Sequence, residues 1–499
     1  MNKTLRALLA PLCLVFAVGS ANAIALSDKP VAGSSIAVAY TLPGSKTIYG
    51  YNNETYFHPA STQKVITALA AILYLGHDFT LTTKLLVQKK AIDANSNSLL
   101  IDKDGVLHSD VIIKFTGDPT LTTQKYRQML AFLRDTGVKG INGRVLLDIS
   151  RFSGKSRGNG WSWDDLPVCF TAPSASIVLN RNCTYAELAT DGVGSRATPV
   201  IPAGIPIRIT SDVVAVSNRD YGGDCELEAN LFIDNNYHLT GCLPADNNGR
   251  PYPISLAIAD PVRWGLDWTV KILNDLDIKV TGGIEAVMTP SDDVQAIYQI
   301  KSAPMRDLVK YMLQKSNNLY ADTIAKNIAA EYYNLPATYY RADRAMRSIL
   351  KQYADIDLGN AYIVDGSGLS PHNLLSANNL LEVLSYIQKH NKNLGFMELL
   401  PVSGQSGTLQ WRASTSQEPL KGNVIAKTGT LQNVYNLAGF VKTKSGATVP
   451  FVIFANSISY DERTRDRVKY RIMPSPHYGY ERYLLEKIYN EQPIERAPQ

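Results

Sequence analysis

Apolar and polar positions alternate over residues 34–51 around the turn Pro43-Gly44-Ser45, as in Ile36-Ala37-Val38-Ala39-Tyr40, and this period of two predicts a β-hairpin. The period then lengthens. Over residues 61–75, Val65, Ile66, Leu69, Ala70, Ile72 and Leu73 recur at helical spacing, with Pro59 just before the run and Gly76 ending it. From about residue 81 to residue 288 the texture becomes short β-like runs separated by turns rich in Gly, Pro, Asn and Asp. Helical patterns return over 305–313, 318–331, 340–353 and 380–390. Three apolar runs, 424–430, 434–443 and 447–455, predict a meander of strands, and a closing helix is expected over 480–489.

Length turns this pattern into an architecture. The chain has 499 residues, and single cores stop growing beyond roughly 250–300, so at least two lobes are expected. We read residues 81–290 as one or two inserted, mainly β lobes that split a main domain into parts 24–80 and 291–499. Residues 1–23 read as an export signal: Lys3 and Arg6, an apolar stretch over 7–18, then Ala21-Asn22-Ala23 before the expected cut. The alternative is an uncleaved anchor. Against it, the apolar run is shorter than the about 20 residues a spanning helix needs, and it contains Pro11. No later stretch is long and apolar enough to span, so no membrane span is expected. The net charge of +5 is too mild for nucleic acid, and no basic stripe interleaved with aromatics is present.

Cysteine usage agrees with export. Cys13 would leave with the signal, and Cys169, Cys183, Cys225 and Cys242 suggest two disulfides in an oxidising compartment. Sequence permits three pairings; we favour Cys169 with Cys183 and Cys225 with Cys242, because short loops close most cheaply. A zinc site is the rival, but no Cys-x-x-Cys occurs and His238 stands alone. The seven histidines are scattered without ligand spacing, so no metal or cofactor is expected.

Candidate chemistry lies in three short motifs. In Ser61-Thr62-Gln63-Lys64, three residues along a helix would put Lys64 on the face of Ser61, whose hydroxyl is a poor nucleophile until a base takes its proton. Ser61 would open its helix, where free N–H groups favour developing negative charge. Ser316-Asn317-Asn318 also reads as the N-cap of the helix that follows. Lys427-Thr428-Gly429-Thr430 lies in the strand over 424–430, where Gly429 would let a substrate backbone approach the sheet edge. Two decoys set the scale. Ser348-Ile349-Leu350-Lys351 falls in mid-helix, where no amides are free, and Lys444-Ser445-Gly446 reads as a hairpin turn.

In this order Ser-x-x-Lys, Ser-x-Asn and Lys-Thr-Gly match the motif set of class A β-lactamases and penicillin-binding proteins. Further segments are family-like: Gly117-Asp118-Pro119-Thr120-Leu121, Trp163-Asp164-Asp165-Leu166, Asp365-Gly366-Ser367-Gly368-Leu369-Ser370 and Tyr435-Asn436-Leu437-Ala438-Gly439-Phe440. With them, the chain resembles the low-molecular-mass class C penicillin-binding proteins, the peptidase S13 D-alanyl-D-alanine carboxypeptidases, over nearly all its length after the signal. The resemblance implies an α+β fold: a serine β-lactamase/transpeptidase-like domain, an antiparallel sheet flanked by helices, with a large insertion between the first two motifs. It implies a periplasmic carboxypeptidase and endopeptidase. Its partners would be peptidoglycan pentapeptides, D-Ala-diaminopimelate cross-links and β-lactam inhibitors.

The roles implied are these. Ser61 attacks and Lys64 is its base, kept neutral by burial and by a second cation, Lys427. Ser316 relays the proton to the leaving amine, and Asn318 holds the substrate amide and Lys64. Lys427, Thr428 and Thr430 suit the substrate's terminal carboxylate, and backbone N–H groups of Ser61 and Thr430 form the oxyanion hole. Two positions depart from the family pattern: Asn317, where a β-lactamase often has Asp, and Pro371, where many relatives carry an arginine thought to meet the diaminopimelate carboxylate.

Rival classes share part of this pattern. A secreted serine β-lactamase has the motifs, but no Glu-x-x-Leu-Asn segment supplies the class A deacylation base. Gly154-Lys155-Ser156-Arg157-Gly158 matches the Gly-x-Ser-x-Gly elbow of Ser-His-Asp hydrolases, yet no helical pattern follows it. A non-catalytic wall-binding relative would not need every reactive side chain that is present here.

Overall fold

Strands that are apolar on both faces build the centre of the main domain. The structure, a computed structural model, describes residues 27–217, 225–231, 234–245, 250–289 and 292–494; the signal expected over 1–23 lies outside them. Strands β1 (Ser35–Tyr40) and β2 (Tyr49–Tyr51) form the expected hairpin. Then come α1 (Lys64–Tyr74), α2 (Met305–Lys315), α3 (Asn318–Tyr333), α4 (Tyr339–Ala354) and α5 (Ala377–Leu394). The chain closes with β3 (Val424–Leu431), β4 (Val434–Lys442), β5 (Thr448–Asn456) and α6 (His477–Tyr489).

The antiparallel sheet runs in the order β2-β1-β5-β4-β3, so the last strands of the chain pair with the first. Alternation sends Ala37, Ala39, Ala438, Phe440, Val452 and Phe454 into a core shared with α1, α2, α3, α4 and α5. Ile36, Val38, Leu437, Val441, Phe451 and Ile453 enter a second core under α6. Strands β1, β4 and β5 are therefore buried on both sides and read as nearly continuous apolar runs. Helix α1 is enclosed all round, with every residue from Val65 to Ile72 buried, which makes it the axis of the helical layer.

The insertion is more than β runs. Strands Thr82–Gln88, Val111–Lys114, Val145–Asp148, Ile284–Val287 and Val294–Lys301 form a mixed five-stranded sheet, and its last strand runs past residue 290. Helices Thr123–Asp135 and Pro261–Asp275 pack on it; the sequence reading did not separate them from the β texture. Their start signals were present. The Thr122 hydroxyl caps the first, while Asp260 followed by Pro261 opens the second. A further lobe is built on Cys183–Ala189 and Asn236–Pro244, and it carries both disulfides, Cys169–Cys183 and Cys225–Cys242, in the favoured pairing. Among the described residues no helix is long and apolar enough to cross a membrane.

One buried ion pair ties α6 to the loop that precedes β3. Arg412 donates through Nε and Nη2 to the two carboxylate oxygens of Glu481, at 2.7 and 2.6 Å, and the Ser414 hydroxyl also donates to Glu481. The side chains are only 6% and 4% exposed. Burial pushes the Glu481 pKa up, but the charge and hydrogen bonds of Arg412, with His477 and the Ser414 hydroxyl, together outweigh it and hold the carboxyl below its ordinary value. Glu481→Gln leaves the guanidinium buried without its counter-charge and is expected to cost about 3 kcal/mol. The measurement is the urea-unfolding midpoint, which should fall; an unchanged midpoint would mean that the pair contributes nothing.

Candidate active site

Ser61 sits on a single 3-10 turn, Ala60–Gln63, that runs straight into α1, so the expected helix start is tighter than an α-helical first turn. The residue before it, Ala60, is held at φ 48°, a left-handed conformation that costs an alanine on the order of 1 kcal/mol. Two glycines make this possible. A Cβ on Gly368 would lie 1.9 Å from the Ala60 carbonyl oxygen, and one on Gly429 would lie 2.7 Å from that of Pro59. The missing side chain of Gly429 is thus explained by the serine turn packed against β3. That space, expected to admit a substrate backbone, is taken by the Pro59 carbonyl.

Lys64 lies one turn on, fully buried. Its Nζ is 2.8 Å from Ser61 Oγ, 2.7 Å from Asn318 Oδ1 and 2.6 Å from the Ser367 carbonyl oxygen. A neutral amine has two hydrogens and one lone pair. The amide and carbonyl oxygens can only accept, so they use both hydrogens and leave the lone pair facing the Ser61 hydroxyl. Burial lowers the Lys64 pKa to about 7, against the pull of Asp322 and then Asp365, whose negative charges favour the ammonium. Lys427 is not a main influence on it, contrary to the sequence reading. The repulsion between the two lysines acts instead on Lys427, which burial, Lys64 and Arg412 hold well below the ordinary lysine value.

The second and third motifs meet on the other side of the serine. Ser316 ends α2 in the left-handed region, φ 54°, Asn317 caps α3, and Asn318 begins it, so this motif is a helix-to-helix corner as well as a cluster of side chains. Lys427 Nζ lies 2.8 Å from Ser316 Oγ and donates to the Thr428 carbonyl at 2.7 Å; Thr428 Oγ1 donates to Thr408 Oγ1 at 2.9 Å. Strand β3 is the edge of the sheet. The preceding loop covers its first half, through Ser403 N–H to the Val424 carbonyl and Ala426 N–H to the Pro401 carbonyl. By the alternation of an antiparallel ladder, the N–H groups of Thr428 and Thr430 point the same way and stay uncovered by that loop. Thr430 is exposed while Lys427, Thr428 and Gly429 are buried.

All eight motif residues singled out in the sequence therefore come together: Ser61, Lys64, Ser316, Asn318, Lys427, Thr428, Gly429 and Thr430. A fourth segment completes the centre. The Asp365 carboxylate receives N–H bonds from Gly368, Ser370, Asn373 and Trp161, which shapes the loop that presents Ser367 to Lys64. Asp322, one turn along α3 from Asn318, accepts from Gly366 N–H. In sequence, residues 365–370 stand out only as a family-like segment. The paired glycines at 366 and 368 were the available signal of a tight approach. Two cavities of about 780 and 660 Å³ lie elsewhere, the first between the insertion and Lys326 of α3 and the second within the insertion.

This geometry has close relatives. A profile of the D-Ala-D-Ala carboxypeptidase 3 (S13) family matches residues 21–471. The chain is 35% identical over 470 residues to D-alanyl-D-alanine carboxypeptidase DacB of Haemophilus influenzae, covering 94% of each, and 25% identical to a D-alanyl-D-alanine carboxypeptidase of Actinomadura sp. strain R39, covering 84% of this chain and 78% of that one. Its fold superposes on the crystal structure of penicillin binding protein 4 from Haemophilus influenzae with a TM-score of 0.83 at 35% identity, over 92% of this chain and 98% of that one. Matched over most of its length in sequence and in fold, the chain belongs to the D-Ala-D-Ala carboxypeptidase 3 (S13) family.

Proposed function

We propose that the protein is a periplasmic, penicillin-sensitive serine D-alanyl-D-alanine carboxypeptidase that also cleaves peptidoglycan cross-links, through an acyl-enzyme on Ser61. The observation that carries this reading is Lys64: a buried amine, lowered to about 7, with two acceptors for its hydrogens and a lone pair left for Ser61. Ser61 Oγ attacks the carbonyl of the penultimate D-alanine as Lys64 takes its proton. The oxyanion is held by backbone N–H groups of Ser61 and Thr430. Ser316 passes a proton to the leaving amine, with Asn318 fixing Lys64 and the substrate amide. Water then releases the acyl group.

Both substrates present the same chemistry. In a pentapeptide the leaving D-alanine carries a carboxylate next to its amine, and in a D-Ala-diaminopimelate cross-link the leaving residue does too. Lys427 is a buried amine that burial, Lys64 and Arg412 hold well below the ordinary lysine value; an incoming carboxylate would favour its protonated form, with Thr428 and Thr430 as hydroxyl partners. The uncovered half of β3 suits an extended peptide backbone. Penicillin sensitivity is supported by a relative of known structure, penicillin binding protein 4 from Haemophilus influenzae complexed with a β-lactam. Two disulfides support an oxidising compartment.

Three outcomes are expected. Ser61→Ala should abolish covalent labelling by penicillin and lower D-alanine release by ~10³-fold or more; a variant that still labels would place the nucleophile elsewhere. Digesting purified cross-linked peptidoglycan should yield free D-alanine together with separated monomers. D-alanine without monomers would remove the endopeptidase half, and rapid repeated penicillin hydrolysis would favour a β-lactamase. Because only neutral Lys64 accepts the proton, kcat/KM should be flat above about pH 7 and fall about tenfold per unit below it. A profile unchanged down to pH 5 would exclude Lys64 as the base.

A further inference from the structure

A further cavity of about 620 Å³ opens where the insertion meets α2 and α3. Its walls are aromatic: Trp264 and Trp268 pack edge to face at 5.6 Å, and Tyr311 and Tyr320 lie 4.5 Å apart. Into it comes one cation, Arg181. Its Nη1 donates to the Tyr311 hydroxyl at 2.9 Å and its Nη2 to the Tyr185 hydroxyl at 3.3 Å. Both partners are phenol hydroxyls, and no carboxylate among the described residues forms an ion pair with it. The neighbouring Asp118 forms no ion pair with it: Oδ1 accepts from Thr120 N–H and Oγ1, Oδ2 is buried without a hydrogen-bond partner among the described residues, and burial raises its pKa. Thr184, also on the wall and 3% exposed, has a hydroxyl with no hydrogen-bond partner among the described residues.

The backbone that presents Arg181 is strained. Asn180, Arg181 and Asn182 have φ of 51°, 63° and 47°, three successive non-glycine residues in the left-handed region, each costing on the order of 1 kcal/mol. Local bonds enforce it. Asn180 pairs with Thr123 through its side chain, Asn182 donates to the Pro173 and Ile177 carbonyls, and the Cys169–Cys183 disulfide closes the segment. Strain this well supported calls for a functional reason. The cavity also adjoins the reactive centre, since Tyr320 lies in the turn that begins with Asn318, and Tyr311 is five residues before Ser316, ~8 Å along α2.

We propose that this cavity binds the carboxylate of a short acidic peptide, with Arg181 as the anion partner and the aromatic walls holding the peptide's aliphatic body. A guanidinium fork suits a carboxylate, and the volume lies in the range of small-ligand sites. That the peptide is a peptidoglycan stem lacking its D-alanines rests on the proposed function; the cavity and its charge preference do not. Occupancy beside α2 and α3 would let one stem bind while another reacts.

Calorimetry on the protein after removal of its leader tests this, with the tripeptide L-Ala-γ-D-Glu-diaminopimelate as probe, before and after penicillin has acylated Ser61. The expected result is binding that survives acylation, weakens with salt, disappears for the fully amidated tripeptide and loses at least tenfold in affinity in Arg181→Gln. Tyr311→Phe, which frees the guanidinium from one of its anchors, should cost a smaller factor and serves if Arg181→Gln fails to fold. No binding, equal binding by both variants, or displacement by acylation overturns the proposal, as does a neutral disaccharide binding there regardless of Arg181. Penicillin labelling is read separately, so a failure of the proposed function is distinguishable from a failure of the cavity.

Discussion

The buried amine of Lys64 is the constraint on which the rest of the centre depends. An ammonium taken out of water without a compensating charge costs many kcal/mol, so burial favours the neutral form. Asp322 and Asp365 offset this in part, and the balance leaves the group near 7, where it can both accept and return a proton. Any element that moved would change that balance. The amine touches the serine turn, the first residue of α3 and the Ser367 carbonyl, and these come from positions as far apart as 61 and 367.

Close approach is the means by which the fold holds these parts. Gly368 admits the Ala60 carbonyl and Gly429 admits that of Pro59, so the serine turn is clamped between a loop and an edge strand. The edge itself is divided. Its first half is closed by the loop that Arg412 and Glu481 anchor to α6, and its second half is left for another backbone. Arg412 thereby has two effects, since its charge also helps to keep Lys427 low.

The insertion contributes more than bulk. The Phe170 carbonyl accepts from Asn318 Nδ2, so a segment next to the Cys169–Cys183 bridge orients the amide that in turn holds Lys64. Lys326, two turns along α3 from Asn318, is buried against carbonyls of Lys155 and Ser174 in the insertion, and burial lowers it to about 7. The stripe Asn318, Asp322 and Lys326 therefore links the Ser61 turn to the joint between lobes. Changes at that joint have a physical route to the Lys64 amine.

Periodicity and motif order by themselves determined the hairpin, the serine-bearing helix, the later helices, the closing meander and the membership of all eight motif residues in one centre, because these depend on local pattern. The disulfide pairing was legible too, since it followed from loop length. Tertiary structure decided what depends on neighbours distant in sequence. It assigned the depression of Lys64 to burial and not to Lys427, gave Gly429 a packing partner in Pro59, and brought Asp322 and the Ser367 carbonyl to the amine. It also separated the helices Thr123–Asp135 and Pro261–Asp275 from their β surroundings. The physical reason is that a pKa, a close contact or a missing counter-charge is set by whatever surrounds a group in space, and a linear pattern records only the residues beside it in the chain.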